Sequence, residues 1–156
     1  MSLNLSEVFA KVDTNIGYVF DDPIHYIVLN EDDNLLTISW IAKYIAILDK
    51  IEATEGSGAV VTIGTGKHFS TGFDMMAWIS TPEDYYPGMD ALRVLMDRLM
   101  RFPLPTLCVF NGNAMAAGYF MGVCHDMRIM NAKRGKICLT EINFGTFLCL
   151  PLMGAI

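Results

Sequence analysis

Residues 103–120 read PLPTLCVFNGNAMAAGYF, a proline-bounded apolar run followed by a small-residue loop. Pro103 and Pro105 end whatever helix precedes them, because proline lacks the N–H that a helix interior needs. Residues 106–110 (TLCVF) then form a short, almost wholly apolar run, which predicts a buried strand. Asn111-Gly112-Asn113 turns the chain, and Ala114, Met115, Ala116, Ala117 and Gly118 bring mostly small residues to the start of a helix. Small residues at that place can aim backbone N–H groups at an anion or a developing oxyanion. Tight helix packing would use the same residues.

Working outward, residues 59–63 (AVVTI) make a second apolar strand. Between the two strands Met89, Leu92, Met96 and Leu99 recur at helical spacing. Further upstream, residues 25–30 (HYIVLN) and 35–39 (LLTIS) flank the polar cluster Glu31-Asp32-Asp33-Asn34, which predicts a hairpin. From Ile41 the period changes: Ile41, Tyr44, Ile45, Leu48 and Ile51 mark an amphipathic helix that stops near Gly56-Ser57-Gly58. The order strand, strand, helix, strand, helix, strand, with glycine-containing loops, predicts an α/β fold of parallel strands joined by crossover helices, with a faint ββα recurrence. No linker or low-complexity tract divides the chain, so residues 1–22 read as an N-terminal extension and residues 23–156 as one core domain.

Composition bounds the function. The chain has 156 residues, 53% of them apolar and 18% charged, which fits one ordinary globular domain. Eleven basic against seventeen acidic residues give a net charge of −6, and the lysines form no stripe, so nucleic acid is not an expected partner. The longest apolar stretches, residues 114–124 and 144–156, fall short of the ~20 residues a spanning helix needs. Cys108, Cys124, Cys138 and Cys149 are widely spaced with no CxxC pair, which predicts reduced thiols, no disulfide framework and no metal site. The N-terminus MSLNLSEVFAKVD carries neither an apolar signal core nor an arginine-rich pattern, so an intracellular, reducing location is expected. The ending FGTFLCLPLMGAI has no charge after Glu141, which suggests burial against a partner or a chain that stops within a domain.

Two more segments can carry chemistry. Gly66-Lys67-His68-Phe69-Ser70-Thr71-Gly72-Phe73-Asp74 directly follows the AVVTI strand, where α/β proteins place ligands. The plainer account is a strand-to-helix turn with Asp74 as N-cap. It is not a P-loop, since Gly64, Gly66 and Lys67 lack the GxxxxGK[ST] spacing. Leu139-Thr140-Glu141-Ile142-Asn143-Phe144-Gly145 holds one carboxylate in apolar surroundings, which suits Glu141 to general-base work, although a cap or an ion-pair member would look the same.

Together, KHFSTGFDM, PLPTLCVFNGNAMAAG, CHDMRIM and LTEINFG, in this order and at these separations, resemble the crotonase (enoyl-CoA hydratase/isomerase) superfamily from about Ile24 onward. The resemblance implies a spiral of ββα units, a coenzyme A thioester as substrate without any other cofactor, and an oxyanion hole of two backbone N–H groups. These map to Phe73 and Ala117. It further implies a substrate site drawn from Phe69, Ser70, Gly72, Asp74, Gly118 and Phe120, with Glu141 as the catalytic base. Hydratases of the superfamily use two glutamates; here the first position is Phe120, and only Glu141 remains.

With Ala116-Ala117, His125-Asp126 and Thr140-Glu141, the chain looks most like the 3,2-trans-enoyl-CoA isomerases of the plant peroxisomal type. That likeness favours the peroxisome, with mitochondrion or cytosol as alternatives, and an assembly such as a homotrimer or hexamer. The C-terminal helices of the superfamily are missing, so a catalytically silent subunit or fragment within a larger assembly is the alternative function. A thioester hydrolase on the same scaffold is a third. His68 and His125 are expected to be hydrogen-bonded structural groups, Asp74 a loop or helix anchor, and Asp126 a partner for Arg128.

Overall fold

The computed structural model describes residues 4–144, and the apolar ending from residue 145 lies outside the described residues. No helix among them is long and apolar enough to cross a membrane. The chain opens with α1 (Leu5–Ala10), β1 (Ile16–Asp21) and β2 (Ile24–Leu29), followed by α2 (Ile38–Glu52). Next come β3 (Ala59–Gly64), β4 (His68–Ser70), α3 (Met75–Ser80) and, after a short 3-10 turn, α4 (Tyr85–Met100). Then follow β5 (Thr106–Phe110), β6 (Asn113–Met115), α5 (Ala117–Val123), β7 (Met127–Met130), β8 (Ile137–Cys138) and α6 (Glu141–Phe144).

Two sheets result. The larger runs β1-β2-β3-β5-β7, antiparallel at β1 and β2 and parallel thereafter. The smaller runs β4-β6-β8, all parallel. The pairs β3 and β4, β5 and β6, β7 and β8 each place one strand in the large sheet, the next in the small sheet, and then turn into helix. This is the expected ββα spiral.

Strand alternation divides the core between the two faces of the large sheet. Ile27 and Leu29 pack in the main cluster with Trp40, Ile41, Tyr44 and Leu48 of α2, Leu92, Leu95 and Leu99 of α4, and Phe120 of α5. Tyr26 and Val28 face the other way, into a cluster with Val8 of α1, Val19 and Ile63. The pairing of β1 with β2 begins at Ile16, inside the stretch read as an N-terminal extension, and Val8 is fully buried.

The expected hairpin between residues 25–30 and 35–39 does not form. The hairpin is made instead by β1 and β2, around Asp22 and Pro23. The polar cluster is a loop organised by Asn34, which is buried, adopts φ 45°, accepts from the Glu31 N–H (2.9 Å) and donates to the His68 carbonyl (3.2 Å). Leu36 makes a single parallel bridge to Phe73, and Thr37 caps α2 by accepting from the Trp40 N–H (3.1 Å). Helix α2 therefore starts three residues before Ile41, and α4 starts a turn before Met89.

Candidate active site

The three candidate segments leave the carboxyl ends of three adjacent parallel strands. Chain continuing from β4 reaches Gly72 and Phe73, chain leaving β6 reaches Ala116 and Ala117, and chain leaving β8 reaches Glu141. Carboxyl ends of parallel strands are where open α/β sheets bind ligands. Registers fix the neighbours: Ser70 opposes Ala114, and Met115 opposes Cys138.

The first turn is held from behind. Ser70 Oγ donates to the Asn34 carbonyl (2.8 Å) and accepts from the Gly72 N–H (3.2 Å), and Ser70 is fully buried. Gly72 sits at φ 97°, where a side chain would be strained, and a Cβ there would lie 3.3 Å from the Ala117 nitrogen. The two candidate donor segments thus touch. The Gly72 carbonyl accepts from the Leu36 N–H (2.8 Å). In a trans peptide N–H and C=O point oppositely, so the Phe73 N–H is directed away from Leu36.

The same argument orients Ala117. The Ala116 carbonyl accepts from the N–H groups of Tyr119 (3.0 Å) and Phe120 (3.2 Å), so it points along α5, and the Ala117 N–H points out of the helix's first turn. Ala116 itself lies at φ 48°, ψ −128°, and its N–H bonds the Cys138 carbonyl (2.9 Å). Gly118 is required by close approach: a Cβ would fall 2.6 Å from Ser70 Oγ.

Glu141 is the first residue of α6 and half-buried, with its Oε2 withdrawn from solvent. Asp74 caps α3 by accepting from the Ala77 N–H (2.9 Å), as the plainer account of that loop holds. It also lines a cavity of about 460 Å³ with Thr37, Ile38, Ser39 and Ala77, to which neither Ala117 nor Glu141 contributes. Among the described residues, the cavity adjoins the strand ends through Asp74, next to Phe73. Phe69 and Phe120 are brought near by sequence but are fully buried in the core, Phe69 edge-on to Phe110 at 5.0 Å.

Asp126 takes Thr106 as its first partner, with the expected Arg128 charge a smaller influence in the same direction. Its carboxylate accepts from the N–H (2.8 Å) and hydroxyl (2.9 Å) of Thr106, which holds it below the usual carboxylate range. Arg128 donates instead to the carbonyls of Val123 (3.0 Å) and His125, satisfying the end of α5. His68 meets Asn113 (3.2 Å) through Nδ1, and His125 is buried, with Nδ1 on the Met121 carbonyl (3.1 Å) and Nε2 on Thr62 Oγ1 (2.9 Å). Both are hydrogen-bonded, as anticipated. Tyr44 was legible in the sequence as a position on an apolar helix face and Thr62 as part of the AVVTI run, but neither as a hydrogen-bonding group; the threonine inside an otherwise apolar strand was the available signal.

The enoyl-CoA hydratase/isomerase family model matches residues 20–153. The chain belongs to that family. Among curated crotonases it is similar to enoyl-CoA delta isomerase 3 of Arabidopsis thaliana, 28% identical over 121 residues that cover 74% of this chain and 50% of the relative. Peroxisomal enoyl-CoA delta isomerase 2 of the same plant is 28% identical over 113 residues, 67% of this chain and 47% of the relative. The hydroxycinnamoyl-CoA hydratase-lyase of Pseudomonas fluorescens is 24% identical over 140 residues, 80% of this chain and 48% of the relative.

Among solved crotonases, an enoyl-CoA isomerase of Mycobacterium tuberculosis superposes with TM-score 0.76 at 26% identity, over 84% of this chain and 57% of that one. An enoyl-CoA hydratase of Mycobacterium marinum superposes with TM-score 0.82 at 23% identity, over 91% of this chain and 62% of that one. The chain spans about half the length of the curated relatives it matches.

Proposed function

We propose that the chain carries the site of an acyl-CoA isomerase that moves a double bond from the β,γ to the α,β position. The observation behind this reading is that Phe73, Ala117 and Glu141 follow the same ends of three adjacent parallel strands. The thioester carbonyl is received by the N–H groups of Phe73 and Ala117. Glu141 removes a proton from the α-carbon, the electron pair passes to the thioester oxygen as a dienolate, and protonated Glu141 returns the proton to the γ-carbon. One base completes the cycle with no net gain or loss of atoms.

Each oxyanion donor contributes about 2.7–4 kcal/mol, because charge develops on the oxygen only as the dienolate forms. Gly72 and Gly118 serve the substrate by letting backbone come close, Ser70 by bracing the first turn, and Asp74 by fixing the helix that follows. Phe69 and Phe120 form its dry apolar backing. Hydration needs a held and deprotonated water, which Phe120 cannot supply. No cofactor beyond the CoA of the substrate is needed.

A peroxisomal location, supported by the likeness to peroxisomal enoyl-CoA delta isomerase 2 of Arabidopsis thaliana, and a homo-oligomer belong to the same reading. The second reading, a non-catalytic subunit, is favoured by the exposed apolar residues Met127 and Ile129 on an edge strand.

The test is a 3-enoyl-CoA assay on the chain and on Glu141→Gln. Glu141→Gln keeps the shape but cannot take the proton, so turnover should vanish while CoA-ligand binding stays within a few fold. The unsubstituted chain, offered a trans-2-enoyl-CoA, should hydrate it far more slowly than it isomerises. Unchanged turnover in Glu141→Gln, or hydration as fast as isomerisation, overturns the mechanism.

A further inference from the structure

Helix α5 is a strut between the two sheets. Its seven residues span about 10 Å at the ordinary rise. At its N-terminal end Gly118 lies against Ser70 of β4. At its other end Gly122 meets the Phe110 ring and Cys108 of β5, where a Cβ would fall 2.3 Å from the ring. Beyond Gly122, the chain is tied to the large sheet at Asp126, which holds Thr106 of β5, and, deeper in the core, by a line of buried hydrogen bonds through His125.

That line has a direction. The Met121 carbonyl only accepts, so His125 Nδ1 carries the hydrogen and Nε2 accepts from Thr62 Oγ1. Having donated, the Thr62 hydroxyl accepts from the Tyr44 hydroxyl at 2.6 Å. Tyr44, Thr62 and His125 are all buried, and they come from α2, β3 and the exit of α5. The groups facing the line are Cys108, Asp126 and Arg128, and burial favours the neutral imidazole that this direction requires.

We propose that Tyr44, Thr62 and His125 are positioning residues that seat the C-terminal end of α5 on the large sheet and so set the direction of the Ala117 N–H at its other end. A short, close-packed helix moves as a body, so a shift of its seat is passed to its first turn. The catalytic use of that direction rests on the oxyanion role proposed for Ala117; the positioning itself does not.

The experiment uses the full chain labelled with 15N-alanine, in wild-type form and as Thr62→Val, Thr62→Ser and Tyr44→Phe. Thr62→Val keeps the shape and removes both hydroxyl contacts. The Ala117 amide resonance should move, because its shift follows the orientation of the peptide at the start of α5. Ala10 and Ala91, in helices outside the line, should stay. Thr62→Ser, which keeps the hydroxyl, should restore Ala117. If Thr62→Val does not fold, the same comparison at Ala117 in Tyr44→Phe decides.

An unmoved Ala117 in a folded variant overturns the proposal, as does an equal change at Ala10 and Ala91. A second readout is the thioester carbonyl stretch of bound butyryl-CoA. Wild type should lower it, and Thr62→Val should lose part of that lowering with affinity within a few fold. Full lowering in Thr62→Val counts against positioning. No lowering in wild type removes the oxyanion role while the Ala117 amide still tests the positioning.

Discussion

His125 is the residue at which burial and titration oppose each other. Its desolvated ring accepts a proton only near pH 4, against an ordinary 6.5, with the backbone bonds to Met121 and Gly122 acting the other way. The unfolded chain therefore binds a proton at His125 below about pH 6.5 that the folded chain refuses until about pH 4, so stability rises with pH across that window. The contribution is fully present above the upper limit and is lost as the pH falls, up to about 3 kcal/mol for this group. Urea unfolding at pH 7 and pH 4.5 measures it. The midpoint should fall more in wild type than in His125→Gln, which has no proton to take up; equal falls would show that the ring is not held neutral.

At the scale of elements, what the sequence revealed depended on length and partner. Helices α2 and α4, with 15 and 16 residues, show several turns of apolar period, and β3 and β5 are continuous apolar runs, so all four were legible. Strands β4, β6 and β8 have 3, 3 and 2 residues, too few to show any period, and they exist through pairing with one another. The small sheet that aligns the candidate site was therefore invisible, while its loops were visible through glycine, alanine and the lone Glu141.

The misplaced hairpin has a similar origin. Leu35 and Leu36 look like strand, but the hydroxyl of Thr37 already serves the helix. Thr37→Ala should accordingly destabilise the chain by about 1 kcal/mol through the lost cap. Thr37→Ser should cost less, and an unchanged denaturation midpoint in Thr37→Ala would mean that the cap contributes nothing.

For the molecule as a whole, the large sheet has an apolar edge facing water. β7 is its last strand, and edge strands present unpaired backbone groups to any chain that can add to them. On β7, Met127 is 56% and Ile129 55% exposed, and Ile137 and Ile142 nearby in sequence are also exposed. Apolar surface leaves water at roughly 25 cal/mol per Å², so contact along this edge is favourable. The 156-residue chain should therefore self-associate with rising concentration and bind a dye that reports exposed apolar surface. Ile129→Lys places a charge on the edge at an already exposed position, leaving the core intact, and should reduce both signals. Sedimentation of the two proteins across a concentration series gives the answer: a dye-negative monomer for the unsubstituted chain would mean that this edge is already covered in solution.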